Sequence, residues 1–199
     1  MNKKKNVHKS AYSKFPHGVK IDFITGVMEN CDRHYQRFLK DMNGMYQDLE
    51  ETSRILNKKD VLLYEVYEKN IPELDGELQY CVSITYPGKI GQEYFMTKGH
   101  FHLRPDTAEI YLCMRGQGLM LMENQLGQSR VEQLCSNRVI YVPPFWAHRT
   151  INIGSEPLIS FCVYPGDAGH AYGPIEKKGF RKIVIEQNGT PIIIDNPKY

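Results

Sequence analysis

The sequence MTKGHFHLRPDTAEIYLCM, residues 96–114, carries the side chains around which the fold is organised. His100 and His102 are two residues apart, and alternate side chains of a β-strand point to the same face. Glu109 follows after a short turn. Imidazole suits iron, zinc, copper and nickel, and a carboxylate adds a negatively charged oxygen ligand. This stretch therefore indicates a metal site on one face of a strand.

A second stretch, YVPPFWAH at residues 141–148, supplies an isolated histidine after a pair of prolines. We predict one divalent metal, held by His100, His102, Glu109 and His148. In the alternative, the His-x-His pair is a chance alternation on a solvated strand, and His148 is a structural histidine beside the core residue Trp146. The glutamate and the second stretch favour the metal site over this alternative.

Length and composition indicate an ordinary globular protein. The chain has 199 residues, of which 41% are apolar, which is enough for one domain with a core. The formal net charge of +2 gives no electrostatic footprint for nucleic acid. No stretch approaches the roughly 20 apolar residues that cross a bilayer. We predict a flexible, locally basic segment at residues 1–14 and a single domain at residues 15–199.

The cysteines indicate a reducing compartment. There are 5 of them, an odd number, and none forms a Cys-x-x-Cys pair. Cys81, Cys113 and Cys162 lie in apolar, strand-like runs, where cysteine behaves as a small buried hydrophobe. We therefore predict no disulfide framework and a cytoplasmic location.

Short alternating or apolar runs, separated by glycine and proline turns, dominate the chain after its first third. They predict an all-β sandwich or barrel, and the lack of βαβ alternation disfavours a parallel sheet. Residues 48–56 predict a short helix with acidic residues near its start. Asn188-Gly189 predicts a tight hairpin turn. The predicted strands are residues 19–24, 61–67, 79–86, 92–102, 108–114, 119–122, 131–134, 138–142, 150–152, 158–164, 181–186 and 191–195.

A metal in such a barrel would suit chemistry on neighbouring oxygen atoms. Four ligands on an octahedral ion leave two adjacent positions for a carbonyl and a hydroxyl. A Lewis acid polarises the carbonyl and stabilises an enediolate, while a carboxylate, histidine or tyrosine moves protons. The loop at residues 164–173 offers His170 and Tyr172 between glycines. Alternatively, the loop histidine is simply exposed to solvent, and the tyrosines are present only because tyrosine favours β-strands.

Two motifs resemble those of the cupin family. The first is carried by His100, His102, Glu109 and Gly116, and the second by Pro143, His148 and Asn152. Two departures stand out: the gap from His102 to Glu109 is longer than the common spacing, and Phe145 replaces the usual glycine. With these departures the chain resembles the cupin-type glucose-6-phosphate isomerase family over about residues 15–198. The runs that carry this resemblance are 64–67 (YEVY), 86–89 (YPGK), 97–102 (TKGHFH), 108–111 (AEIY), 141–149 (YVPPFWAHR) and 164–173.

The resemblance implies a cupin β-barrel of jelly-roll type and a metal-dependent isomerase that interconverts glucose 6-phosphate and fructose 6-phosphate. Iron(II) is the usual family metal, with manganese, zinc or nickel as substitutes, and the family forms homodimers. The implied metal ligands are the four residues named above. The implied phosphate positions are Ser83, Thr97, Gly99 and Tyr164, and the implied sugar positions are Tyr64, Tyr111, His170 and Tyr172.

Two mechanisms remain open at this stage. One is a cis-enediol route with Glu109 as base, and the other is a metal-assisted hydride shift. A carboxylate bound to a cation is a weaker base than a free one, so His170 or Tyr111 is an alternative to Glu109.

Two other functions compete with isomerisation. A cupin dioxygenase would consume oxygen, and a sugar- or metal-binding cupin would show no turnover in an isomerase assay.

Overall fold

The computed structural model describes residues 15–199, so the flexible segment predicted for residues 1–14 lies outside the described residues. A 3-10 turn (Leu39–Met42) and two helices, α1 (Leu49–Leu56) and α2 (Gly173–Lys178), accompany the strands. The strands are β1 (Arg33–Phe38), β2 (Leu62–Glu68), β3 (Leu78–Thr85), β4 (Lys89–Ile90), β5 (Glu93–Tyr94), β6 (Glu109–Arg115), β7 (Gln117–Asn124), β8 (Ser129–Cys135), β9 (Val139–Val142), β10 (Trp146–Asn152), β11 (Leu158–Pro165), β12 (Lys182–Gln187) and β13 (Thr190–Asp195).

The strands form three antiparallel sheets. The largest has the order β1-β2-β3-β11-β6-β9, and the others have the orders β10-β7-β8 and β13-β12-β5-β4. Buried side chains from all three sheets, such as Leu63, Leu121 and Val184, belong to one hydrophobic core. The predicted all-β class with a short helical segment is confirmed. No helix within residues 15–199 is long and apolar enough to cross a membrane.

The register between strands aligns side chains in rows on the inner face of the six-stranded sheet, and these rows include Tyr111 and Ser83, which were predicted to contact substrate. Glu68 on β2 pairs with Cys81 on β3, and Cys81 pairs with Cys162 on β11. Cys162 in turn pairs with Tyr111 on β6. Because side chains alternate along each strand, residues two positions away lie on the same face. Ser83, two residues beyond Cys81, therefore belongs to this inner face as well.

Local sequence signals account for the elements that were predicted well. Asp48 precedes α1, and its carboxylate accepts a hydrogen bond from the Glu51 backbone N–H at 2.8 Å, as expected of an N-cap. The strands predicted at residues 119–122 and 131–134 are present within β7 and β8, which pair with each other. Asn188 and Gly189 have φ values of 52° and 76°, which the predicted hairpin turn requires.

The strand predicted at residues 19–24 is wrong. Only Ile21 forms a β-bridge, with Met28. The Asp22 carboxylate accepts hydrogen bonds from the backbone N–H groups of Ile24 and Thr25, at 2.7 and 3.0 Å. An aspartate that bonds the backbone a few residues ahead favours a turn over a strand, so the chain reverses here.

Two further differences between prediction and structure concern β1 and the segment after β5. β1 was not predicted, because its sequence RHYQRF is polar and lies in a region favourable to helix. The strand predicted at residues 92–102 is only partly formed: β5 is followed by isolated bridges at Met96, His100 and Phe101. Gly99 interrupts it with a φ of 74°, a left-handed conformation that a regular strand excludes.

Candidate active site

The four predicted metal ligands converge in the interior of the protein. One ligand atom from each of His100, His102, Glu109 and His148 lies within 4.8 Å of all the others. Glu109 Oε2 is 3.1 Å from His102 Nε2 and 2.9 Å from His148 Nε2. The side chains of His102, Glu109 and His148 are at most 5% exposed. These residues form a candidate metal centre.

Paired backbones bring two of these histidines together. The His100 N–H donates to the His148 carbonyl at 3.2 Å, and the His148 N–H donates to the His100 carbonyl at 3.1 Å. This bridge joins the segment after β5 to strand β10. Gly99 makes the close approach possible, because a Cβ there would lie 2.7 Å from the Phe180 ring and 3.0 Å from the His148 carbonyl oxygen.

The hydrogen bonds of His102 fix which ring nitrogen faces the centre. Thr107 Oγ1 donates to the Arg104 carbonyl at 2.6 Å, so it accepts from His102 Nδ1 at 2.8 Å. The proton therefore belongs on Nδ1, and Nε2 presents a lone pair toward the Glu109 carboxylate. Holding one histidine nitrogen so that the other can bind is typical of metal sites.

Unpartnered nitrogen atoms support the fit of a metal to these residues. The Nε2 atoms of His100 and His148 are buried and have no hydrogen-bond partner. The contact from His148 Nε2 to Glu109 is short but lacks hydrogen-bonding geometry. Buried polar atoms normally have partners. A divalent cation among these groups would satisfy the lone pairs of the imidazoles and the charge of the carboxylate.

The electrostatics favour a charged Glu109 carboxylate and a neutral His100 imidazole. Burial by itself would raise the pKa of Glu109, but His148 and His102 outweigh burial and hold that pKa below its usual value. Burial, reinforced by His148 and His170, lowers the pKa of His100 well below its usual value. A carboxylate and neutral imidazoles are the protonation states in which these side chains bind metals.

A pocket that is partly open to solvent lies over this centre. Its walls include every substrate residue predicted from the sequence. These are Tyr64, Ser83, Thr97, Gly99, Tyr111, Tyr164, His170 and Tyr172. His100, Glu109 and His148 also line it, whereas His102 lies behind the pocket wall. The structure thus brings the predicted ligands and substrate residues together, and their individual roles remain predictions.

The loop after β11 covers one side of the pocket with aromatic rings. The His170 ring stacks on that of Tyr172 with centroids 5.9 Å apart. The same His170 ring meets the His100 ring edge-on, at 4.4 Å. Burial lowers the pKa of His170 and raises the pKa of Tyr172 to about 12. His170 is therefore neutral, and Tyr172 keeps its proton, near neutral pH.

Comparison with known proteins identifies the family. A family model described as glucose-6-phosphate isomerase (GPI) matches residues 36–197. The chain belongs to this family. Glucose-6-phosphate isomerases of Thermococcus litoralis and Pyrococcus furiosus are each 46% identical to it over 186 residues, 94% of this chain and 97% and 98% of theirs. A solved oxalate oxidase overlaps 56% of each chain at 16% identity with a TM-score of 0.45, and this partial likeness carries no argument about function.

Membership of the GPI family confirms the resemblance drawn from the motifs. Seven further residues line the pocket of this GPI-family chain and were not predicted as site residues: Tyr35, Val66, Glu68, Cys81, Lys98, Thr150 and Cys162. Tyr35 donates a hydrogen bond to Glu68 at 2.8 Å. The alternation of Tyr35 with polar neighbours in RHYQRF was the available signal for it. For Cys81 and Cys162 the sequence offered no signal beyond their apolar neighbours. Their place in the pocket depends on the register between strands, which the local sequence does not show.

Proposed function

We propose that this chain interconverts glucose 6-phosphate and fructose 6-phosphate at a divalent metal centre held by His100, His102, Glu109 and His148. The observation that carries this proposal is the convergence of four buried ligand atoms beneath a pocket lined by hydroxyl groups. Iron(II) is the metal we favour, with manganese, zinc or nickel as alternatives, because three imidazoles and one carboxylate suit these ions. When bound, the ion would act as a Lewis acid toward the oxygens at C1 and C2 of the sugar.

Three side chains around the centre have the chemistry to move a proton between adjacent carbons. Glu109 stays ionised, which makes it a weak base, and metal binding would weaken it further. Burial and the neighbouring Glu109 charge raise the pKa of Tyr111 well above its usual value, so Tyr111 holds its proton and donates. His170 is neutral and borders the pocket, so it can accept a proton. We therefore favour His170 over Glu109 as the base.

The hydride-shift route needs no base. Incorporation of deuterium from the solvent therefore distinguishes it from the enediol route. Turnover of fructose 6-phosphate in D₂O should place deuterium at C2 of the product if a protein group carries the proton. Product without deuterium would support the hydride shift and would remove His170 from the role of base. A His170→Gln variant should then keep its kcat.

The phosphate group fits the hydroxyls on the other side of the pocket. Thr97 Oγ1 accepts the Thr150 backbone N–H at 3.0 Å, which leaves the hydroxyl proton of Thr97 free to donate elsewhere. Ser83 and Tyr164 present hydroxyls from the sheet, and Gly99 allows close approach of the backbone. Hydroxyls and backbone N–H groups are common partners of phosphate oxygens. These four residues are our proposed phosphate site.

We also propose that residues 15–199 act as a single cupin domain in a cytoplasmic homodimer, without nucleic acid or membrane partners. An apolar patch on the outer face of β6 and β9 supports the dimer. It consists of Ile110, Val139 and Tyr141, which are 45%, 58% and 58% exposed. Adjacent exposed apolar side chains of this size often mark an interface. Analytical ultracentrifugation of the parent and of a Tyr141→Asp variant tests this expectation.

A chelation experiment tests the metal-dependent isomerase. Protein stripped with a strong chelator should lose conversion of fructose 6-phosphate to glucose 6-phosphate in a coupled assay, and iron(II) or manganese should restore it. His102→Gln should resist restoration, whereas His17→Gln should behave like the parent, because His17 is exposed and bonds Tyr80 away from the pocket. Full activity of a verifiably metal-free sample would contradict metal dependence and leave the isomerase activity standing.

A further inference from the structure

The floor of the pocket contains two thiols on neighbouring strands. Cys81 on β3 and Cys162 on β11 are direct antiparallel partners. Directly opposite residues have Cβ atoms about 4.5–5.5 Å apart and point to the same face. Each thiol shifts the pKa of the other, as expected of groups that lie side by side. Together with the direct pairing of the two residues, this proximity lets one atom bridge the two sulfurs.

Both thiols belong to the pocket wall. They line the same cavity as Glu109 and Tyr164, and the inner-face row places Tyr111 beside Cys162 and Glu68 beside Cys81. Both cysteines are buried, at 7% and 1% exposure, so only a small molecule that enters the pocket can reach them. Neither thiol belongs to the candidate metal centre or to the proposed phosphate site.

We propose that Cys81 and Cys162 form a dithiol site that binds one trivalent arsenic group across both sulfurs and thereby closes the pocket to sugar phosphate. For an arsenical of the form R–As=O, each thiol gives its hydrogen to the oxygen. Two As–S bonds form, two S–H bonds and the As=O bond break, and one water leaves. Arsenic stays trivalent, so the step needs no oxidant or reductant.

The environment of the pair favours arsenic(III) over other thiol-seeking reagents. Peroxides react with thiolates, and divalent cations bind thiolates, yet burial disfavours the charged form of a thiol. Arsenic(III) condenses with neutral thiols and leaves a neutral product, so it does not require a buried charge. The imidazoles and the carboxylate of the candidate metal centre are harder ligands than sulfur. The arsenical therefore selects the thiols and leaves the four metal-site residues intact.

The bridged product would occupy space that the substrate needs. Ser83 follows Cys81 by two residues on the same face of β3, and Tyr164 follows Cys162 by two residues on β11. These are two of the proposed phosphate residues. Because β3 and β11 are antiparallel, the cysteine pair lies between these two residues, and a phenyl group carried on the bridging arsenic would occupy the space between them. We therefore expect loss of isomerase activity together with capture of the arsenical.

Phenylarsine oxide on the intact, metal-loaded protein tests the proposal. Mass spectrometry should show one phenylarsenic group per chain with loss of two hydrogens, and peptide mapping should link the peptides of Cys81 and Cys162. Activity should fall in step with labelling and return with a dithiol, while excess monothiol should restore far less. The mass measurement is independent of turnover, so it stands or fails separately from the proposed function.

Single variants separate this pair from the other cysteines. Cys81→Ser and Cys162→Ser should each abolish bridged labelling, and Cys81→Ala provides a second form if the serine variant folds poorly. Cys113→Ser is the matched control, because Cys113 is equally buried on the neighbouring strand β6 but pairs with Ser160 rather than with a cysteine. Bridged labelling that persists in both single variants, or that maps to Cys113, would overturn the proposal.

Discussion

The guanidinium of Arg149 donates a hydrogen bond to the backbone carbonyl of Lys98, 2.5 Å away. Arg149 follows the candidate ligand His148 on β10, and its side chain is buried against the Phe180 ring, 4.4 Å from the ring centroid. Burial lowers the pKa of Arg149 to about 10, so it stays charged near neutral pH. A buried cation thus holds the segment that presents Thr97 and Gly99 to the pocket.

Arg149→Lys should lower stability and weaken substrate binding, because lysine keeps the charge but loses the planar fork. A hydrogen bond to a charged group contributes about 1.5–3 kcal/mol, so we expect a clear fall in Tm and a raised KM with little change in kcat. The measurements are thermal unfolding and steady-state kinetics. Arg130→Lys, at an exposed position on β8, is the control. An unchanged KM in Arg149→Lys would show that this bond does not position the segment.

Glu109→Gln should impair catalysis far more than folding. Glutamine keeps the shape but loses the charge that balances a cation, so metal content and kcat should both fall. An additional acid–base role of Glu109 would be seen as a further loss of about 10²–10⁴-fold in the rate of the metal-loaded variant. Metal content, Tm and kcat should be measured together. Glu132→Gln, on the exposed side of β8, should match the parent in all three. Near-normal kcat in metal-loaded Glu109→Gln would exclude Glu109 from the mechanism.

Thr97→Val should raise KM for fructose 6-phosphate about tenfold, because losing a hydrogen bond worth about 1.4 kcal/mol changes affinity by that factor. A contact made equally in the ground and transition states leaves kcat unchanged. Thr97→Ser is the matched control: it keeps both the free hydroxyl proton and the oxygen that accepts from Thr150. If Thr97→Val raises KM for an unphosphorylated sugar by the same factor, Thr97 does not bind the phosphate.

Glu65→Gln should destabilise the protein at neutral pH and progressively less in acid. Burial opposes ionisation of Glu65, but hydrogen bonds from Tyr86, His34 and Gln36 hold its pKa below the ordinary 4.5. A lowered carboxyl pKa stabilises the fold above the ordinary value, and this stability is lost as pH falls through the lowered value. Urea unfolding across this pH range measures the difference between parent and variant. A difference that is constant with pH would assign the effect to packing.

The sequence was sufficient for the all-β class because strand alternation and turn residues are local signals. It failed where one side chain overrides that pattern, as Asp22 does by closing a turn inside an apparent strand. It also failed at β1, whose polar residues become a strand only by pairing with β2. Pairing of this kind is a tertiary effect, so local propensity does not reveal it.

The candidate metal ligands could be predicted because His, Glu and their spacing are distinctive side-chain chemistry. Most of the phosphate and sugar positions came from family motifs and not from the residues alone. Thr150, Cys81 and Cys162 were missed since their access to the pocket depends on which strands are neighbours. Register across a sheet is set by long-range packing, and a one-residue shift would turn each of these side chains to the opposite face.

The inner face of the six-stranded sheet and the bridge between His100 and His148 are built from different parts of the chain. Glu109 is the one member of the candidate ligand set that the sheet supplies. Substitutions along the sheet rows can therefore reshape the space around a sugar while the three imidazoles keep their places. Exchanges at positions such as Ser83 or Cys162 would thus alter the wall of the pocket and leave the backbone bridge between His100 and His148 in place.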